Sequence, residues 1–449
     1  MRIPCKLILA LVASFLLATA LPAQDTTELL NRMKAMEDRI RALEAEVQTL
    51  KGQQTAAVAP QPQPAPAEAP AVAQAPPEPV SIGGAGGAAA KVLNPDISVI
   101  GDFIGAIGNH GGRATPALEM HESEVGFQEV IDPYARADFF ISFGEAGVNL
   151  EEGYITFTSL PAGLQLKVGK MRAAFGRVNT THNHVLPWID RPLVSQNLVG
   201  GEDGIDDAGL SLSRILPSPK GLFLEGIAQV FRGDSDNVFS AVRRSDVAAV
   251  GHLRAYSDLS ESTNIDFGAS YAHGHSPYAD GVNQLYGGDV TLRWKPLRRA
   301  IYHSFVARSE LIWARTSVSQ GYLTGTPASP FAGSPRILAK PFGFYASGDY
   351  QINRRWIFGG RFDRSQRGQC LPTNPATTTS CPNPLPTNFS RGVPLLQDTG
   401  GSFQLTYVPS EFSLIRTQFR RAKYGEGLTA NEILFQFQFS MGAHGAHPF

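Results

Sequence analysis

Four histidines occur in two pairs of identical spacing, and each pair could bind a metal ion. His182 with His184, and His273 with His275, are two residues apart, so in an extended chain both rings of a pair point to the same side. Two imidazoles held in this way can bind Zn²⁺ or a copper ion. The sequence fixes no third or fourth ligand, so the competing interpretation is that these are solvated loop histidines that bind no cofactor.

Charged residues that alternate with apolar neighbours form a second group of candidates. Residues of this kind in a water-filled path would attract ions of opposite charge. The alternative is that each cation simply pairs with a nearby carboxylate such as Asp138 or Glu152. The candidate pore-lining residues are Arg136, Asp138, Lys167, Lys170, Arg172, Arg177, Arg293, Lys295, Arg308, Glu310, Arg416 and Arg420.

The elements that carry these residues have the pattern of β-strands. The last stretch is the clearest case, because Ile433, Phe435, Phe437, Phe439 and Met441 alternate with mostly polar residues, which is the period of a strand with one apolar face. From residue 95 to 449 about sixteen such segments follow one another, separated by turn residues. An edge strand in a soluble sandwich would leave these aromatics needing cover. The pattern therefore predicts an all-β fold, a transmembrane antiparallel β-barrel of about 16 strands.

The composition fits a barrel and argues against several other classes. The chain has 45 glycines, 26 phenylalanines and 18% charged residues, and no long apolar run follows the N-terminus. A net charge of −1 argues against nucleic-acid binding. No Gly-x-Ser-x-Gly, His-Glu-x-x-His or phosphate-binding glycine loop is found, so we predict no enzyme. A barrel enzyme is the less favoured alternative.

The first 94 residues divide into three segments of different composition. Residues 1–23 carry Arg2 and Lys6, an apolar run and small residues at its end, which predicts a signal peptide for export. Residues 25–52 place Met33, Ile40 and Val47 at position a of three heptads, which predicts a short coiled coil. Residues 53–94 are rich in Pro, Ala and Gly and predict a linker. We expect these segments to lie in the periplasm and the barrel in the outer membrane of a Gram-negative-type bacterium.

Short motifs in residues 96–216 resemble known families of outer-membrane proteins. The stretches that carry the resemblance are Asp132-Pro133-Tyr134-Ala135-Arg136-Ala137-Asp138, Glu151-Glu152-Gly153-Tyr154, Val168-Gly169-Lys170, Phe175-Gly176-Arg177 and Thr181-His182-Asn183-His184. Val168-Gly169-Lys170 followed by Phe175-Gly176-Arg177 resembles the corresponding region of phosphate-selective porin-like proteins. The other stretches also resemble proteins labelled zinc-regulated outer-membrane receptors. The resemblance implies a channel for passive diffusion of small hydrophilic solutes, including anions such as phosphate. The alternative that it leaves open is a zinc uptake receptor or a metal-responsive channel.

Two further expectations concern assembly and the cysteines. The charges that flank the heptads match between parallel copies in register, so we predict a parallel homo-oligomer. The heptad residues favour two copies and the resemblance to porins favours three, and we predict a trimer. Cys5 lies in the signal peptide, which leaves Cys370 and Cys381 as the expected disulfide of an exported protein.

Overall fold

The computed structural model describes residues 95–109, 116–144, 147–235, 238–319, 336–368 and 392–442. The predicted signal peptide, coiled coil and linker lie outside these residues, and so do Cys370, Cys381 and the C-terminal residues from 443 onward. The assembly and disulfide expectations therefore stay predictions.

Almost every described element is a strand, as the alternating sequence predicts. The strands are β1 Asp96–Asn109, β2 Leu118–Asp132, β3 Ala135–Gly144, β4 Gly147–Leu160, β5 Leu164–Arg172, β6 Asp206–Ile215, β7 Leu222–Phe231, β8 Ala248–Ser260, β9 Thr263–His275, β10 Val282–Trp294, β11 Ser304–Ser319, β12 Arg336–Ala339, β13 Phe342–Asn353, β14 Trp356–Gly368, β15 Leu395–Ser410, β16 Ser413–Lys423 and β17 Thr429–Gly442. One short helix, α1 Leu193–Leu198, and two 3₁₀ turns, Pro161–Gly163 and Asn183–Val185, complete the described elements.

The strands form one closed antiparallel barrel. Each pairs with its neighbours in the chain, and β17 pairs with β1 from Ser98↔Gly442 to Asn109↔Asn431. Both the four-residue β12 and the longer β13 pair with β11, so these two strands share one position and the barrel has sixteen positions. The prediction of an all-β barrel of about 16 strands is confirmed.

The wall of the barrel is apolar outside and polar inside. Large side chains on the outward positions are exposed, among them Val168, Phe267, Phe358, Phe403 and Phe437. Inward positions carry buried polar side chains, among them Glu124, Asp266, Gln404, Gln418 and Gln436. Among the described residues, no helix is long and apolar enough to cross a membrane. A closed barrel with this inside-out pattern is a transmembrane β-barrel, since closure pairs every backbone group that would otherwise face lipid.

The two ends of the barrel differ in the length of their connections. At the short-turn end, connections such as Pro133 with Tyr134 and Arg354 with Arg355 join strands directly. At the long-loop end, three connections are long, namely residues 173–205, 320–335 and 369–394. The second of these connections begins after Ser319, where β11 ends, and ends before Arg336, where β12 begins. The connection formed by residues 173–205, here called the inward loop, folds into the barrel.

Candidate pore and the loop inside the barrel

The inward loop, residues 173–205, is closed at its base by one asparagine. The Asn179 side-chain amide donates hydrogen bonds to the backbone oxygens of Ala173 at 2.9 Å and Ile205 at 3.1 Å. Its side-chain oxygen accepts a hydrogen bond from the Ile205 backbone N–H at 2.8 Å. One side chain therefore joins both ends of the loop, which satisfies backbone groups that would otherwise be buried without partners.

A glycine lets the start of the loop press against the barrel wall. Gly176 has a φ of +60° and donates its backbone N–H to Ser270 Oγ on β9 at 2.9 Å. A Cβ at this position would lie 1.6 Å from an oxygen of Glu310 on β11. Glycine tolerates both the left-handed backbone and the close approach, so the loop can turn into the lumen here.

Apolar contacts hold one side of the loop to the wall formed by β7 to β13. The buried cluster includes Phe175, Val178, Leu186, Trp188 and Val194 of the loop, together with Phe231, Val250, Ala272, Leu285, Ile312 and Tyr345 of the strands. The rings of Trp188 and Tyr345 are 5.1 Å apart in an edge-to-face arrangement. Burial of these side chains stabilises the loop inside the barrel rather than outside it.

Charged hydrogen bonds hold the far side of the loop to β14 and β16. Asp190 accepts hydrogen bonds from Arg361 at 3.0 Å, Arg420 at 3.0 Å and Gln418 at 2.5 Å. Burial works to raise the pKa of Asp190, but the two guanidiniums outweigh it and lower this pKa to about 2. Asp190 is therefore ionised at neutral pH, and the loop crosses the lumen from one wall to the other.

Histidines connect the middle of the loop to β2 and β4. His182 contacts Glu124 through Nδ1 at 2.7 Å and Glu152 through Nε2 at 2.9 Å, and its ring lies 5.7 Å from that of His184. Burial opposes protonation of His182, but its hydrogen bonds to the two glutamates outweigh burial and raise its pKa to about 9. The structure thus brings the first predicted histidine pair into a carboxylate-rich environment in the lumen.

Below the loop, towards the short-turn end, the lumen widens into a cavity of about 470 Å³. We call this cavity the arginine chamber. Its arginine and carboxylate lining residues are Arg177 from the loop, Glu225 from β7, Arg254 from β8, Asp266 from β9, and Asp289 and Arg293 from β10. His182 of the loop also lines this cavity. Polar groups such as Tyr256 and Asn264 line the rest. The volume is in the range of sites that hold small molecules.

Three arginines of the chamber surround a single carboxylate. Asp266 lies 2.7 Å from Arg254, 3.7 Å from Arg177 and 3.8 Å from Arg293. The Asp266 side chain is 5% exposed, whereas the three arginines are 39%, 27% and 22% exposed in the same order. The surface that this part of the chamber offers to a solute is therefore cationic. Over the whole chamber, three arginines face three carboxylates, so these six side chains together carry no net formal charge.

Most of the other predicted pore-lining residues lie inside the barrel and are paired. Because most of these charged side chains contact a partner, they leave little free cationic surface in the lumen. Arg136 contacts Asp138, Arg172 contacts Glu151, Arg308 contacts Asp349, Arg416 donates to Gln436, and Arg420 contacts Glu432 and Asp190. Glu310 is buried against the loop backbone at Val178, and Lys167 lies over the ring of Tyr154.

The remaining predicted residues lie away from the lumen. Lys170 shares the outward parity of the exposed Val168 and contacts Asp206 at 2.9 Å. Lys295 is exposed in the turn after β10. His273 and His275 occupy the outward parity of β9, and His275 lies 3.4 Å from Asp246. The structure therefore separates the second histidine pair from the first.

Sequence reasoning missed several residues that define the chamber and the loop contacts. Arg254, Asp266 and Asp289 follow the inward parity of their strands, so the alternation itself was a usable signal. Asp190 and Arg361 carried no local signal, because they are separated by 171 positions in the chain.

The barrel and its inward loop define the class of this protein as a transmembrane β-barrel of sixteen positions with a loop folded into its lumen. No family model matches the sequence. A protein of Aquifex aeolicus (strain VF5), described as an uncharacterized protein, is 29% identical over 409 residues, which covers 80% of this chain and 81% of that protein.

Solved structures with a similar barrel are less similar in sequence. The outer-membrane channel DcaP of Acinetobacter baumannii is 13% identical with a TM-score of 0.47, covering 78% of this chain and 96% of that one. The anion-selective porin from Comamonas acidovorans is 7% identical with a TM-score of 0.48, covering 78% and 99%. OmpF of Salmonella typhi is 9% identical with a TM-score of 0.48, covering 77% and 97%. The class stated above follows from the geometry of this chain.

Proposed function

We propose that this protein is an outer-membrane channel through which small hydrophilic solutes diffuse passively, small anions such as phosphate among them. The arginine chamber carries this proposal. It is a polar cavity inside a sixteen-position barrel, and such barrels enclose an aqueous channel. The inward loop narrows the lumen, so the residues below it contact whatever passes.

The charge pattern of the chamber favours weak rather than strong ion selectivity. Arg177, Arg254 and Arg293 expose their guanidiniums around the nearly buried Asp266, which favours anions locally. Glu225 and Asp289 line the same cavity and oppose this effect. We expect a small preference for anions.

Two alternative functions have less support in the geometry. Energised receptors have barrels of about 22 strands, whereas this barrel has sixteen positions. An enzyme would need a nucleophile or general base aimed at a substrate, whereas Asp266, the carboxylate at the centre of the chamber, is engaged with Arg177, Arg254 and Arg293.

A liposome-swelling assay tests passive diffusion directly. Liposomes that contain the purified full-length protein should swell faster in iso-osmotic arabinose than in the larger trisaccharide raffinose, because the inward loop limits the size of the path. Protein-free liposomes are the control. Folded, membrane-inserted protein that gives the control rate with arabinose would contradict the proposal.

A further inference from the structure

Five buried side chains with metal-binding atoms meet where the inward loop contacts β2 and β4. Glu122 and Glu124 are inward neighbours on β2, and Glu151 comes from β4. His182 and His184 come from the loop. All five are less than a tenth exposed. We call these five residues the acid–histidine cluster.

A β-bulge places the third glutamate in the cluster. In the pairing of β3 with β4, Phe140 faces Glu152 and Ile141 faces Leu150, so Glu151 is an extra residue on β4. A bulge re-aims a side chain that would otherwise follow the strand alternation. As a result, two consecutive glutamates point into the lumen beside His182.

The donor atoms are close enough to share one ion. The ligand atoms of Glu124, His182 and His184 lie within 4.8 Å of one another, and the same holds for those of Glu122, Glu124 and Glu151. Ligands about 2 Å from a tetrahedral Zn²⁺ are roughly 3.3 Å apart. Small side-chain movements therefore suffice to complete a site around Glu124, which belongs to both groups.

Glu122 provides the independent indication that a cation belongs here. Its side chain is buried, and neither carboxylate oxygen has a hydrogen-bond donor among the described residues. One carboxylate oxygen of Glu124 is also buried without a hydrogen-bond partner among the described residues. A buried carboxylate that lacks a donor and lies beside two further carboxylates is strongly unfavourable. The nearby Arg172 contacts Glu151 at 3.0 Å and donates no hydrogen bond to the oxygens of Glu122.

We propose that Glu122, Glu124, Glu151, His182 and His184 form a binding site for one divalent transition-metal ion of the Zn²⁺ type. The mixed imidazole and carboxylate donors suit such an ion better than Ca²⁺ or Mg²⁺, which take oxygen ligands. This inference goes beyond the proposed channel function. A bound ion would join the inward loop to β2 and β4.

The surroundings of the cluster fit this assignment in two ways. Glu152 lies 2.9 Å from Nε2 of His182, so Nδ1 can face the ion while the other nitrogen donates to a carboxylate, as metal-bound histidines usually do. A separate cavity of about 250 Å³ at the long-loop end is lined by Glu122, Glu151 and Asn183. It provides an entry path for the ion.

Isothermal titration of the purified full-length protein with Zn²⁺ tests the site. We expect one Zn²⁺ per chain in the parent, and at least tenfold weaker binding in Glu124→Gln and in His184→Ala. The matched control removes the other pair, His273→Ala with His275→Ala, and should bind as the parent does. A parent that binds no Zn²⁺, or variants with unchanged affinity, would overturn the proposal.

Folding and the nature of the ligands need separate readouts. Each variant is accepted when its unboiled form shows the electrophoretic mobility of a folded barrel. If a loop variant fails this criterion, Glu122→Gln replaces it, because this change lies on the wall of the entry cavity and keeps the size of the side chain. Co²⁺ bound to the parent should give visible absorption bands that Glu122→Gln alters. Identical spectra would count against the site, and neither readout depends on conductance.

Discussion

Replacing Asp266 by asparagine should make the channel more selective for anions. The substitution Asp266→Asn keeps the size of the side chain and removes the one carboxylate that lies within 3.8 Å of Arg177, Arg254 and Arg293. The chamber then has three arginines and two lining carboxylates, Glu225 and Asp289. The summed formal charge of these arginines and carboxylates changes from zero to one positive charge.

The size of the effect follows from Coulomb's law. For an ion about 6 Å from the removed charge in water, the interaction is about 0.7 kcal/mol, and screening at 0.1 M salt reduces it to about 0.4 kcal/mol. That is roughly a twofold gain for anions and a twofold loss for cations, so the permeability ratio changes about fourfold. In a tenfold KCl gradient this ratio moves the reversal potential of an unselective channel by about 25 mV.

The assay is the reversal potential of the protein in planar bilayers under that gradient. Arg293→Gln should shift the potential in the opposite direction by a similar amount. Glu411→Gln removes a carboxylate from the exposed turn between β15 and β16 and should leave the potential unchanged. A folded, conducting Asp266→Asn channel with the parent's reversal potential would show that ions do not pass the chamber.

Three further predictions concern the loop, the cysteines and the assembly. Gly176→Ala should displace the inward loop and make it sensitive to protease, because the new Cβ would meet Glu310. The control Gly251→Ala places no atom within 4 Å of the new Cβ and should keep the parent's resistance. Equal protease resistance of the two variants would contradict this prediction. Mass spectrometry of the exported, non-reduced protein should show Cys370 joined to Cys381, and two free thiols would refute the bond. Native mass spectrometry in detergent should show a trimer, while a monomer would exclude self-association and a dimer would favour the coiled coil's own preference.

The alternation of the sequence was sufficient to predict the barrel and many inward positions. On β11, Arg308 and Glu310 were placed in the lumen because they share one parity, and the structure has Glu310 buried while Trp313 on the other parity is exposed. Periodicity works here because every strand is apolar outside and polar inside. The placement of Lys170 in the lumen was wrong, because Lys170 shares the outward parity of Val168 on β5 and the alternation itself directs it outward.

The pairing partners inside the lumen could not be predicted. Gln436 donates a hydrogen bond to Asp102, which lies 334 positions away in the chain. A local sequence pattern cannot predict such a contact between the first and last strands of the barrel. The inward position of Glu151 depends on a bulge, which breaks the two-residue period that the prediction used. The histidine spacing identified two of the five residues of the acid–histidine cluster, and the fold supplied the three glutamates.

Single-channel recording of the purified full-length protein in planar lipid bilayers tests the central claim most directly. The account predicts stepwise current increases of uniform size with each insertion, because every barrel contains the same polar path past the inward loop. Bilayers exposed to detergent alone provide the baseline. Folded protein that inserts into the bilayer without producing such steps would contradict the claim that this barrel is a channel.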